Sequence, residues 1–167
     1  MFIDPQAQAL QPWMDFFLHL LKLDIQPELS SFTDVQEQIE ARDKAIQWKI
    51  KAIASKTTYR LLSKYGNPSY MKEELQGFHK YFQETFSQRI LEVHLNLMFA
   101  RKQSFVGSKC LNFNIKTVTC CIKIPRTLEV LKPFIENIMY ETVIPIMMVS
   151  QKDQNLFYDD PVEFIRK

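Results

Sequence analysis

A chain of 167 residues with 46% hydrophobic side chains is long enough to bury a core and too apolar to be disordered. Its formal net charge of only +2 argues against a dedicated nucleic-acid binder, which would carry a strongly basic face. Three scattered glycines, Gly66, Gly77 and Gly107, exclude the closely spaced glycines of a dinucleotide fingerprint or a P-loop.

The three cysteines are Cys110, Cys120 and Cys121. An odd count with two adjacent speaks against a disulfide framework and fits a reducing compartment. No C-x-x-C occurs, and His19, His79 and His94 lie far apart on amphipathic stretches, so packing or surface roles are expected of them and no metal or other cofactor is called for. Met1-Phe2-Ile3 runs straight into Asp4-Pro5 without a basic region, so no secretory signal is read. The most apolar window, 143–149, falls far short of the ~20 residues that span a bilayer. A soluble intracellular protein is expected.

In chain order, Asp4-Pro5 starts a short turn and Pro12 opens a helix ending near Lys22, with Trp13, Phe16, Phe17, Leu20 and Leu21 on one apolar face. Residues 24–36 are polar, contain Pro27 and Ser30-Ser31, and read as a loop. A single long helix is predicted from Glu37 to Tyr65, packed through Ile39, Ile46, Ile50, Ile53, Thr57 and Leu61. Gly66 is expected to end it in the left-handed conformation, with Pro68 barring continuation. A second long helix runs from about Tyr70 to Lys102 with a stripe of Phe78, Phe82, Phe86, Ile90, Val93 and Leu97. Gly77 within it implies a kink or the close approach of a neighbour.

Residues 108–123 fit either period. Leu111, Ile115, Val118 and Ile122 suit a helix capped by Ser108, whereas Phe113 to Cys121 alternate like a strand. A lone strand would leave its backbone groups unpaired, so helix is predicted. After Pro125 a short turn leads to a helix from Leu131, which Pro145 should kink. Residues 151–159 form a joint holding one helical turn. Asp160 and Pro161 then open a last helix, the aspartate as cap and the proline at its first position, with Glu163 at the positive end of the helix dipole.

The whole is therefore all-α. Its spacing is compatible with the ~40–47 residues of a HEAT or armadillo unit, stacked as a superhelical solenoid, although no crisp internal sequence repeat is seen. The expected blocks are 1–22, the end of one repeat; 37–102, one repeat; 108–150, the next; and 161–167, the start of another. Such an array leaves apolar surface bare at both ends, and Met1-Phe2-Ile3 and Phe164-Ile165 suit that.

Two stretches carry a resemblance. WKIKAIASKTTYRLLSKYGNPS, residues 48–69, resembles the long helix and following turn of importin-β superfamily transport receptors of the importin-7/importin-8 type. LKPFIENIMYETVIPIMMVSQKDQNLFYDDPVEFIRK, residues 131–167, resembles their helix and joint ending in a signature carried here by Asp160, Pro161, Glu163, Phe164, Ile165 and Arg166. That signature also resembles the related export receptor that recycles importin-α. The resemblance implies an internal block of HEAT repeats from a much longer receptor. It also implies carriage of protein cargo through nuclear pores under control of the Ran GTPase, contact with phenylalanine-rich nucleoporin repeats, and shuttling between nucleus and cytoplasm. The alternatives are a cytoplasmic α-solenoid scaffold without a transport role, or a small all-α enzyme.

Two charged groups stand out as candidate partner-binding residues. At 100° per residue Arg42, Lys49, Lys56 and Arg60 fall within roughly 40° of one another, a basic stripe suited either to an acidic partner or simply to water. Asp153, Asp159, Asp160 and Glu163 suit basic cargo or a basic patch on Ran, although capping alone accounts for Asp160 and Glu163. No carboxylate pair lies near a histidine or lysine in a way that suggests acid–base catalysis, so a binding scaffold is expected in place of an enzyme.

Overall fold

The structure, a computed structural model, describes residues 5–33, 35–70, 73–148 and 151–166, so the apolar start Met1-Phe2-Ile3 lies outside the described residues. Among the described residues the architecture is all-α, and the one extended pairing is an isolated bridge between Ser31 and Ser104. The chain divides into two units, residues 1–133 and 134–167.

In the first unit, helix α1 spans Pro5–Lys22, so Pro12 lies inside it and does not start it. Pro12 is exposed, and the hydrogen bond it forfeits is offset by burial of Met14, Leu18 and Leu21 on the opposite side. Trp13 and Phe16, expected on the packed face, are instead 61% and 51% exposed. The predicted loop contains a one-turn helix, α2 (Pro27–Ser30). It is tied down by the Trp48 indole N–H, which donates to the Leu29 carbonyl at 3.0 Å, and by Phe105 N–H, which donates to Ser30 at 2.8 Å.

The long helix predicted from Glu37 is two helices, α3 (Gln36–Asp43) and α4 (Ile46–Leu61), parted at Lys44-Ala45. Ala45 is extended (φ −62°, ψ 141°). No glycine or proline marks this break; long-range contacts hold it. Asp43 accepts from the backbone N–H of Ser108 at 2.7 Å, and Arg42 donates to the carbonyl and hydroxyl of Ser31.

The packed face of α4 also differs from the expected one. Ile46, Ile50 and Ile53 are 63%, 40% and 62% exposed, while Trp48, Lys51, Ala52, Ala54, Ser55 and Thr58 are buried. The helix continues as a π turn, Leu62–Gly66, and Gly66 does not take the left-handed conformation. Its lack of a side chain serves close packing: a Cβ there would sit 2.7 Å from Leu62 Cδ1 and 3.2 Å from Ile124 Cδ1.

The return helix is built from α5 (Gln76–Phe82), a π turn (Gln83–Ser87) and α6 (Gln88–Ala100). Phe82, Phe86, Ile90 and Val93 are buried as the stripe predicts. Gly77 meets nothing within 4 Å, so no close neighbour explains it; it is the second residue of α5, directly after the 3-10 turn Glu73–Leu75 and the irregular backbone of Leu75. Gly77→Ala is therefore expected to raise stability by about 0.5–1 kcal/mol through helix propensity. A rightward shift of the urea midpoint checks this.

Helix α7 (Ser108–Cys121) settles the ambiguous segment. Its N-cap is Gly107, with Ser108 the first helical residue and Asp43 supplying the acceptor from outside the helix. Gly107 is needed there because a Cβ would come within 3.1 Å of the Trp48 ring. Helix α8 (Pro125–Leu131) starts directly at Pro125 where a turn was expected.

Contacts fix the directions. Tyr65 lies beside Phe78 and Thr58 beside His94, so α4 and α5–α6 run antiparallel. Trp48 meets Phe105, Ser55 meets Cys110, and Gly66 approaches Ile124, so α4 and α7 run parallel. On the other side Asp15 pairs with Arg89 while Leu21 and Val93 border one concavity, so α1 runs parallel to α6. Each helix thus packs antiparallel to its neighbour and parallel to the next but one. That is how stacked α-hairpins bury their faces, and the fold is of the HEAT-repeat type.

The second unit holds α9 (Ile135–Ile138), a π turn (Met139–Val143) and α10 (Ile144–Met147). Pro145 follows that π turn, where the helical ladder is already opened. The expected joint is a full helix, α11 (Gln151–Asp159), and α12 (Pro161–Arg166) follows. Phe157 packs edge-on against Phe164 at 5.4 Å, and Asp160 caps α12 by accepting from Glu163 N–H at 3.0 Å.

Candidate protein-interaction surface

The rigid support for the surface is a buried polar cluster joining α4, α6 and α7. His94 Nδ1–H donates to Asn114 Oδ1 at 2.7 Å, which leaves Nε2 to accept from the Thr58 hydroxyl at 2.9 Å. Ser55 Oγ lies 3.4 Å from the same Asn114 oxygen and 3.2 Å from Cys110 Sγ. Desolvation outweighs the hydrogen bond to Asn114 and lowers the His94 pKa to about 4, so the ring is neutral at physiological pH. Lys51 spends its charge inward, its Nζ donating to the Leu21 carbonyl at 2.7 Å, and burial lowers its pKa.

These groups do not form a reactive centre. All three cysteines are buried and free. Burial pushes their thiols up, Cys121 to about 12, which keeps them as protonated packing groups. Among the described residues no cluster of three or more His, Cys, Asp or Glu is placed to hold a metal ion, and no helix is long and apolar enough to cross a membrane.

The candidate basic residues separate. Arg42 sits on α3, hydrogen-bonded to Ser31 with its guanidinium 5.7 Å from the Phe105 ring centre, so it braces the α2–α3 region and leaves the stripe. The single-helix register that grouped it with the others fails at the Lys44-Ala45 break. Lys49, Lys56 and Arg60 remain together, all exposed along α4. Sequence reasoning missed their counterpart on α7, where Lys109 and Lys116 lie exposed and Lys123 follows just beyond the helix end. Between the two rows runs a groove bordered by Tyr59, Ser63 and Asn67 on one side and Lys116, Thr119 and Lys123 on the other. The signal was present in the sequence: no Asp or Glu occurs between Asp43 and Glu73 or between Glu92 and Glu129.

The acidic candidates all lie in the second unit. Asp153 is half-buried on α11, Asp159 is exposed at its end, and Asp160 is exposed and engaged in capping α12. Glu163 occupies the first turn of α12, as the helix dipole favours.

Comparison with known proteins agrees with the stacked-hairpin architecture. The chain is 25% identical to mouse importin-8 over 160 residues, 95% of this chain and 15% of that protein. It is 27% identical to an importin beta-like SAD2 homolog of Arabidopsis thaliana over 156 residues, 93% of this chain and 15% of the relative. Against zebrafish importin-8 the identity is 30% over 136 residues, 78% of this chain and 13% of the relative. No family model matches, and no solved structure matches. The chain therefore spans about 15% of the length of the curated relatives it matches. Similarity to these receptors runs through nearly the whole chain and supports a segment of the importin-β family, related to the importin-8 type.

Proposed function

We propose that this chain is a block of HEAT repeats from a nuclear transport receptor, a binding scaffold for protein cargo whose loading is regulated by the Ran GTPase. The observation that carries the reading is the apolar surface left bare on its helices. On α1, Trp13 and Phe16 are exposed, and on α4 so are Ile46, Ile50 and Ile53. In the second unit Tyr140, Met147, Met148 and Ile165 are each at least 65% exposed. Rows of this kind are what a stack of hairpins presents to further hairpins, and scattered surface residues do not explain them. We assign residues 37–102 and 108–150 to successive repeats, with 1–22 closing a preceding one and 161–167 opening a following one.

In such a scaffold the work is done by surface complementarity and by flexing between repeats, with cargo and Ran coupled negatively. Phenylalanine-rich nucleoporin repeats are the third partner class, and the receptor shuttles between nucleus and cytoplasm. The experiment uses the full-length receptor with bound cargo and GTP-loaded Ran. Cargo release is expected; unchanged cargo retention overturns the reading.

A further inference from the structure

We infer that the groove between α4 and α7 is a docking site for an extended acidic peptide segment, a role independent of Ran and of cargo carriage. The first observation is charge segregation. Residues 44–72 contain seven Lys and Arg and no carboxylate, and residues 93–128 contain six and none. The intervening stretch 73–92 carries Glu73, Glu74, Glu84 and Glu92. A chain nearly neutral overall therefore presents one pair of parallel helices that is cationic only.

The second observation is geometry. Lys49 and Lys56 on α4 repeat every seven residues, as do Lys109, Lys116 and Lys123 along and just past α7. At 1.5 Å per residue that is a step of ~10.5 Å. A peptide in the extended polyproline II form has three residues per turn and rises about 3.1 Å per residue, so a carboxylate at every third position returns to one face at about the lysine step. Because α4 and α7 run parallel, the two rows advance in the same direction, and Lys116 and Lys123 stand on the wall of the groove itself. The five lysines are exposed, and no ion pair occupies them among the described residues. Asp43, near the start of α7, is spent on capping the Ser108 N–H.

The groove lining selects a peptide over single-stranded nucleic acid. Unpaired bases need open aromatic faces on which to stack. Tyr59 and Phe113 instead pack on each other at 6.1 Å, half-buried, and Lys116 Nζ lies 5.4 Å from the centre of the Phe113 ring. Ser63, Asn67 and Thr119 along the walls offer hydrogen-bonding side chains suited to a peptide backbone.

The test measures fluorescence anisotropy of a labelled glycine–serine peptide with glutamate at every third position, titrated with the 167-residue chain. Binding is expected, weakening with salt, and about tenfold weaker in the Lys56→Glu/Lys116→Glu variant, since each reversal replaces an attraction by a repulsion. Lys22→Glu/Lys80→Glu changes net charge equally at exposed positions elsewhere and is expected to bind as the unaltered chain does. Should Lys56→Glu/Lys116→Glu lose its helical circular dichroism, the glutamine pair Lys56→Gln/Lys116→Gln takes its place. No peptide binding, or equal loss in both charge-reversed pairs, overturns the site. Polyuridylate that binds through Lys56 and Lys116 while the peptide does not overturns the assignment of the partner.

Discussion

Truncating Phe86 to alanine is expected to cost about 3–5 kcal/mol of stability, the range for removing a fully buried aromatic ring from a packed core. The ring is completely buried, with Phe82 at 5.3 Å and Tyr81 edge-on at 5.8 Å. It sits in the π turn between α5 and α6, at the middle of the return helix. Nothing polar is stranded by the change, so the loss is transfer free energy plus the cavity left behind. Urea unfolding followed by circular dichroism reads it as a lower midpoint with an unchanged slope. A loss under about 1 kcal/mol would mean the return helix does not pack as described.

Acidification is expected to weaken the first unit through His94. The ring titrates at about 4 in the fold because burial disfavours its charge, and near 6.5 in the unfolded chain. Between those values the unfolded state binds a proton that the folded state refuses. The contribution is therefore complete above pH 6.5, falls as pH drops through the interval, and is gone below about 4. Summed over the interval it is about 3 kcal/mol. Urea titrations at several pH values should show that slope in the unaltered chain. His94→Asn, less stable at neutral pH because Thr58 and Asn114 lose their common partner, should show a slope reduced by one proton. Equal slopes would contradict a neutral buried ring.

The return helix was legible because its core residues are large and aromatic. Phe82, Phe86, Ile90 and Val93 recur at helical spacing, and all four are buried. Helix α4 was misread because burial and hydrophobicity part company there. Its inward row is Lys51, Ser55 and Thr58, satisfied by the Leu21 carbonyl, Cys110, Asn114 and His94. Its isoleucines face outward. Helix α7 repeats the pattern with Cys110, Asn114 and Thr117 buried and Ile122 half exposed. Periodicity finds an apolar face; it cannot find a polar face whose partners lie on other helices.

The break at Lys44-Ala45 was hidden for a related reason. It is set by Asp43 reaching Ser108, 65 positions away, with no local breaker in the sequence. The same break removes Arg42 from the candidate stripe. The lysine row of α7 lay in plain view at heptad spacing in a segment predicted as helix, but only the pairing of α4 with α7 sets it beside the α4 row. The cap at Asp160 and the helix starting at Pro161 were readable because both signals are local.

Paired spin labels on α4 and α7 test the stacking most directly. Labels replace Lys49 with Lys109, Ser63 with Lys123, and in a third sample Lys49 with Lys123; the three native thiols are buried away from the reagent. Parallel stacking gives two short same-end distances and a crossed distance longer by roughly 20 Å, the rise of fourteen helical residues. A crossed distance as short as the same-end pairs would contradict first-to-third parallel stacking, and with it the solenoid on which the functional reading stands.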